Sequence, residues 1–273
     1  MMIEKVYFCI RGRLGNAIFR YLACAIMCIK YKAEYIPNYN INGNNKQEIN
    51  DHEFFNIAQS LLKNDTINDT NINHVIMSGF YQHDTIYNKY KTEIIAYIKQ
   101  HPSHYISTDG IVAGDGKCEH FNMQSILTTP KTFDKSYNVV LHLRLEDFVT
   151  HNLFISTDRI INLFKKYTIT VPNETLCILC KAPTTDFEYK YIKTIQQFLT
   201  NEKQIKVIIE SNDTLTDYYI MKEASTLICS KSTLSWSAAF FSDKVQKCYM
   251  PEYIESINST CKYPVEKEKV VFY

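Results

Sequence analysis

Short apolar runs alternate along this chain with longer stretches whose apolar residues recur at helical spacing. Lys5–Ile10 reads as a strand that runs directly into "RGRLGN". From Asn16 the residues Ile18, Leu22, Ala25, Ile26 and Ile29 fall on one helix face. Glu34–Pro37 reads as a further strand, while "NYNINGNNKQEIN" and "LKNDTINDTNINH" read as polar, turn-like loops. "HVIMSGFYQHDTIY" predicts a strand that leaves at Gly79 into a loop, then a helix running to about Gln100. Residues 101–136 carry Pro and Gly with little period, as a linker or irregular flap does.

The second half alternates more regularly. "YNVVLHLR", "TLCILCK", "QIKVIIES", "TLICS" and "VQKCYM" read as strands. Between them, "STDRIINLFKKY", "DFEYKYIKTIQQFLT", "TDYYIMKEAS" and "STLSWSAAFFS" read as helices, the first with a Ser, Thr or Asp to cap it. Strands alternating with helices predict an α/β chain with a parallel, doubly wound sheet. Such sheets bind ligands at the carboxyl ends of their strands, where the informative motifs of this chain fall.

Composition narrows the function classes. At 273 residues the chain supports one large domain or two small ones. A net charge of +1 offers no basic surface for nucleic acid or an anionic membrane. No run of about 18 uncharged apolar residues predicts a membrane span. Glu4 and Arg11 interrupt the first apolar run, so no signal peptide is expected and a cytoplasmic, reducing location is. Nine cysteines then read as thiols, with Cys177 and Cys180 as core residues of a strand.

Four stretches carry candidate chemistry. In "GRLGN", Gly12 and Gly15 let the backbone approach a ligand closely, Arg13 favours an anion, and Asn16 is either the helix cap or a ligand donor. In "VVLHLRLEDF", Arg144 at a buried strand end needs an anion: a carboxylate, with Asp147 nearest in sequence, or a phosphate. His142 shares its face by strand alternation. In "SKSTLSWSAAFFS", Ser230, Ser232, Thr233 and Ser235 supply more hydroxyls than one N-cap uses, and a diphosphate would take the surplus. In "SGFYQHDTIY", Tyr81, Gln82, His83 and Asp84 are expected to face a cleft, where aromatic and amide groups suit sugar recognition. No D-x-D or other ligand pattern predicts a catalytic metal, and no G-x-S-x-G predicts a hydrolase triad.

In order, "RGRLGNAIF", "SGFYQ", "HLRLEDF", "DYYIM" and "KSTLSWSAA" resemble the α-1,2-fucosyltransferase family and its α-1,6- and protein O-fucosyltransferase relatives. The resemblance runs from about residue 6 to residue 253. It implies a GT-B-like fold of two Rossmann-like domains facing a cleft: residues 1–136 on the acceptor side, residues 137–273 binding the nucleotide sugar. It also implies inverting, metal-independent transfer from a donor, GDP-fucose first, to a saccharide hydroxyl, with no resident cofactor. On that footing Arg144 grips the donor diphosphate, Asn16 lies near its phosphates and sugar, and Ser232, Thr233 and Ser235 stand beside the nucleotide. His142 matches the histidine two residues before the arginine, and Asp217 an acid that either caps or binds.

The departures are local. Leu145 replaces the family's second arginine, Glu146-Asp147 its Gly-Asp, Ala17 a glutamine, Lys231 an asparagine, Ser237 a tryptophan and "CKAP" an S-D-D segment. Lys231 offers a positive charge that offsets the missing arginine. The general base is left among Asp147, Glu146, His83 and Asp84. Two alternatives stand beside GDP-fucose: another donor such as UDP-xylose, and a non-catalytic relative that holds a glycan or nucleotide.

Overall fold

The computed structural model describes residues 3–37, 46–63, 73–81, 84–109, 118–171, 175–252 and 269–273. The chain divides into two compact units, one of Met1–Thr132 and one beginning at Phe133. Each has its own parallel sheet. Among the described residues no helix is long and apolar enough to cross a membrane.

The first unit runs β1 (Lys5–Phe8), α1 (Leu14–Tyr31), β2 (Glu34–Ile36), β3 (Lys46–Ile49), α2 (Asp51–Lys63), β4 (His74–Met77), α3 (Asp84–Lys89) and α4 (Lys91–Gln100). Its sheet has the order β2-β1-β4-β3, parallel throughout. Helix α1 is buried along nearly its whole length, from Leu14 to Cys28, as expected of a helix apolar on most sides. It ends where Lys32 takes a left-handed φ of 54°. A hairpin of β5 (Tyr105–Ser107) and β6 (His120–Asn122) and the short α5 (Met123–Leu127) follow. So part of the stretch expected to be irregular is ordered, and β3 forms inside a stretch expected to be a polar loop. Beside the hairpin, the His104 ring packs against Tyr35 and His101, and Tyr21 Oη lies 3.1 Å from its Nδ1.

The second unit runs β7 (Val139–His142), α6 (Glu146–Thr150), α7 (Thr157–Lys166), β8 (Thr175–Leu179) and α8 (Asp186–Gln197), which winds on into a π-helical turn. Then come β9 (Lys206–Glu210), α9 (Thr214–Glu223), β10 (Thr226–Ile228), α10 (Thr233–Phe241), β11 (Lys247–Met250) and β12 (Val270–Phe272). The sheet order is β12-β11-β10-β7-β8-β9, all parallel. The first three strands build outward on one side and the last three on the other, the doubly wound order of a dinucleotide-binding fold. Every residue of β7 is buried, which is why its sequence is an apolar run rather than an alternation. Cys177 and Cys180 sit in this core as buried free thiols.

Candidate functional site

The winding of the second sheet reverses between β7 and β10, so their carboxyl ends form its topological switch point. Two of the motifs singled out above converge there. His142 closes β7, Ser230 follows β10, and Ser230 Oγ lies 2.9 Å from His142 Nδ1. Burial of His142 lowers its imidazole to about 4, so it is neutral and able to share this hydrogen bond. Arg144, two residues on, leaves the sheet at the same end. It borders a small recess with Phe148, Phe154, Tyr191, Ser230 and Lys231.

Arg144 is not open. Its Nη1 pairs with Glu146 Oε2 at 2.6 Å and its Nη2 with Asp147 Oδ1 at 2.7 Å, and the guanidinium lies over the Phe148 ring. Both of these partners are carboxylates from the turn that follows Arg144. The turn that brings them in is strained: Glu146 has φ 36°, where the resembled motif carries glycine. Glu188, from α8, holds it. Its Oε1 accepts from Glu146 N–H at 3.0 Å, and its Oε2 accepts from Thr184 N–H, Thr184 Oγ1 and Thr185 N–H at 2.8, 3.0 and 3.1 Å. Burial pushes the Glu188 carboxyl up, but the hydrogen bonds from Thr184, Glu146 and Thr185 outweigh it and hold it below the usual range.

The hydroxyl cluster is spent mostly inside the protein. Ser232 is the N-cap of α10, accepting from Leu234 N–H at 3.3 Å. Ser235 is fully buried and donates to the Ser232 carbonyl at 2.9 Å. At the third helical position its side chain turns back on the first turn rather than outward. Thr233 opens the helix. Lys231 sits just before it, its ammonium lowered by burial and by the neighbouring Arg159. Asp217 is neither cap nor exposed ligand: Asp213 caps α9, while Asp217 accepts from Asn212 N–H and Nδ2 at 3.2 and 3.1 Å. Burial raises Asp217 to about 6.

In the first unit the corresponding switch point lies between β1 and β4. Gly12 follows β1 with φ 79°, and a Cβ there would stand 3.0 Å from Asn16 Nδ2. Arg13 is the N-cap residue of α1 and makes no side-chain cap; Gly15 and Asn16 lie within the first helical turn. Asn16 is therefore not the cap, since the helix begins earlier than its apolar stripe suggested. Under this loop lies Arg20, wholly buried, with no ion pair to a carboxylate among the described residues. Its Nη1 donates to the Arg11 carbonyl at 2.7 Å and its Nε to the Gly79 carbonyl at 3.0 Å, tying the two strand ends together.

Tyr81 does not face a cleft. It is fully buried with φ 53°, and its hydroxyl donates to the Ile49 carbonyl. The Asp51 carboxylate, which accepts from Phe80 and Tyr81 N–H, draws the loop inward. Gly79 is required by the same approach, since a Cβ would come within 2.8 Å of Asp51 N. Gln82 and His83 lie outside the described residues, and Asp84 opens α3.

Glu188 is the residue here that reading by motif left unassigned, and the bond of Ser230 to His142 and the grip of Glu146 on Arg144 were not foreseen. Ser230 was visible in the hydroxyl cluster; Glu188 stands 42 residues from Glu146 and carried no local signal. Among the described residues, no group of three or more His, Cys, Asp or Glu side chains is placed to hold a metal ion. No family model and no curated protein matches the chain. Among solved structures it is similar to a crystal structure of the NodZ alpha-1,6-fucosyltransferase co-crystallized with GDP, with a TM-score of 0.45 and 9% sequence identity over 91% of this chain and 94% of that one.

Proposed function

We propose that the chain is a glycosyltransferase that moves a sugar from a nucleotide donor to a saccharide hydroxyl, with GDP-fucose as the first donor to test. The observation that carries this reading is the meeting of the His142–Arg144 and Ser230–Thr233 motifs at the β7/β10 switch point. In the reaction the acceptor oxygen attacks the anomeric carbon, the sugar–phosphate bond breaks, and negative charge grows on the departing diphosphate. Arg144, Lys231 and the N-terminus of α10 are the groups assigned to meet that charge. Asp147, beside Arg144, is the carboxylate assigned to take the hydroxyl proton. Metal-independent, inverting transfer is part of the proposal.

The double ion pair on Arg144 favours a second reading, a relative that holds a nucleotide or glycan without turnover. A thermal-shift screen with GDP, UDP, ADP and CMP in EDTA tests both. A ligand at about 100 times its dissociation constant stabilises by ~2.7 kcal/mol. A shift with GDP alone supports a fucose-type donor, and a shift with UDP alone supports a donor such as UDP-xylose. No shift with any of them overturns the nucleotide site. Sugar transfer by the shifted protein separates enzyme from binding module.

A further inference from the structure

We propose that the Glu146 carboxylate occupies Arg144 in place of the donor diphosphate, so that ligand binding is an exchange of anions on one guanidinium. This rests on the reading of Arg144 as the diphosphate's partner. Both terminal nitrogens, which together make the fork that receives a phosphate, are taken at 2.6 and 2.7 Å. Neutralising the arginine needs one carboxylate, and Asp147 supplies it. The second leaves Arg144, Glu146 and Asp147 with a net charge of −1, which opposes an incoming anion.

Glu146 also reaches its position at a backbone cost. A φ of 36° suits glycine, and the turn would form more easily with no side chain there. A buried carboxylate from a separate helix, Glu188, accepts from its N–H with one oxygen while the other caps the start of Glu188's own helix. A strained residue held from outside, with its side chain on the guanidinium, is a placed group. Glu146 therefore sets the affinity of the site.

The test is calorimetric titration of the full chain with GDP, UDP and inorganic pyrophosphate at one pH and ionic strength. The proteins compared are wild type, Glu146→Gln, Glu146→Gly, Arg144→Ala and the double variant Arg144→Ala/Glu146→Gln. Glycine accepts the backbone conformation, so Glu146→Gly keeps the test alive if glutamine disturbs the turn. Both single changes at 146 are expected to tighten pyrophosphate and nucleotide binding at least ~10-fold, and the gain is expected to vanish in the double variant. A gain that persists without Arg144 is mere relief of repulsion and overturns the exchange. Unchanged or weaker binding at 146, with Arg144→Ala weaker than wild type, overturns the exchange and leaves the proposed function standing. Arg144→Ala binding as tightly as wild type, or no binding by any protein, removes both.

Discussion

Arg144 lies two residues beyond a strand whose every residue is buried, and a largely buried guanidinium there is costly without an anion beside it. Glu146 and Asp147 meet that need, and the strained turn that delivers them is the local cost. Gly12 is strained in the same sense but is the residue that tolerates it. Gly12→Ala is expected to destabilise the first unit by ~1–2 kcal/mol, from the left-handed backbone and the Cβ pressed on Asn16. Denaturant unfolding measures this, and an unchanged midpoint would contradict it. The residue-level chemistry was only partly legible in the sequence. The need of Arg144 for an anion followed from its place at a strand end. The inward turns of Tyr81 and Ser235 did not, because each depends on a partner that only folding supplies: the Ile49 carbonyl and Asp51 for one, the helix's own first turn for the other.

Strand-to-helix turns at the switch point of each sheet bring together groups far apart in sequence. In the first unit Arg20 joins the turn after β1 to the turn after β4. Arg20→Ala removes a buried side chain and leaves two strand-end carbonyls without their donors, with an expected loss of ~3–5 kcal/mol. A loss below ~1 kcal/mol in urea unfolding would show that this tie is dispensable. In the second unit Glu188→Gln keeps the shape but replaces one accepting oxygen with an amide NH2, so at least one of the four hydrogen bonds is lost and the rest lose their charge. It is expected to cost ~1–2 kcal/mol, each bond to a charged group being stronger than a neutral one. The alternation of apolar strands and amphipathic helices in the second half was legible, because each element carries its own period. The strands β3 and β12 and the β5/β6 hairpin were not: they are short and lie in or beside polar stretches, so long-range pairing rather than local pattern makes them.

At the scale of the whole molecule, acid acts on each unit through a neutral histidine. Burial, with His101 beside it, lowers His104 to about 4, and burial alone lowers His142 to about 4. Between about pH 6.5 and 4 the unfolded chain binds protons at these sites that the native chain refuses, so stability falls as pH falls. Each contributes at most roughly 3 kcal/mol, a pKa unit being ~1.4, and half-exposed His104 less. Asp217 works the other way: raised to about 6, it keeps its proton natively where the unfolded chain has lost it, and gains from acid between about 6 and 3.8. Two histidines against one aspartate give a net loss, so unfolding midpoints at pH 7, 5.5 and 4.5 are expected to decline in that order. A flat or rising series would contradict the buried, neutral imidazoles.

The proposed function requires a nucleoside diphosphate to bind at the β7/β10 switch point. Hydrogen–deuterium exchange of the full chain, with and without saturating GDP or UDP, tests it most directly. Slowed exchange centred on residues 143–148 and 229–236 is the predicted result. Ligand protection confined to other segments, or none with either nucleotide, would contradict it.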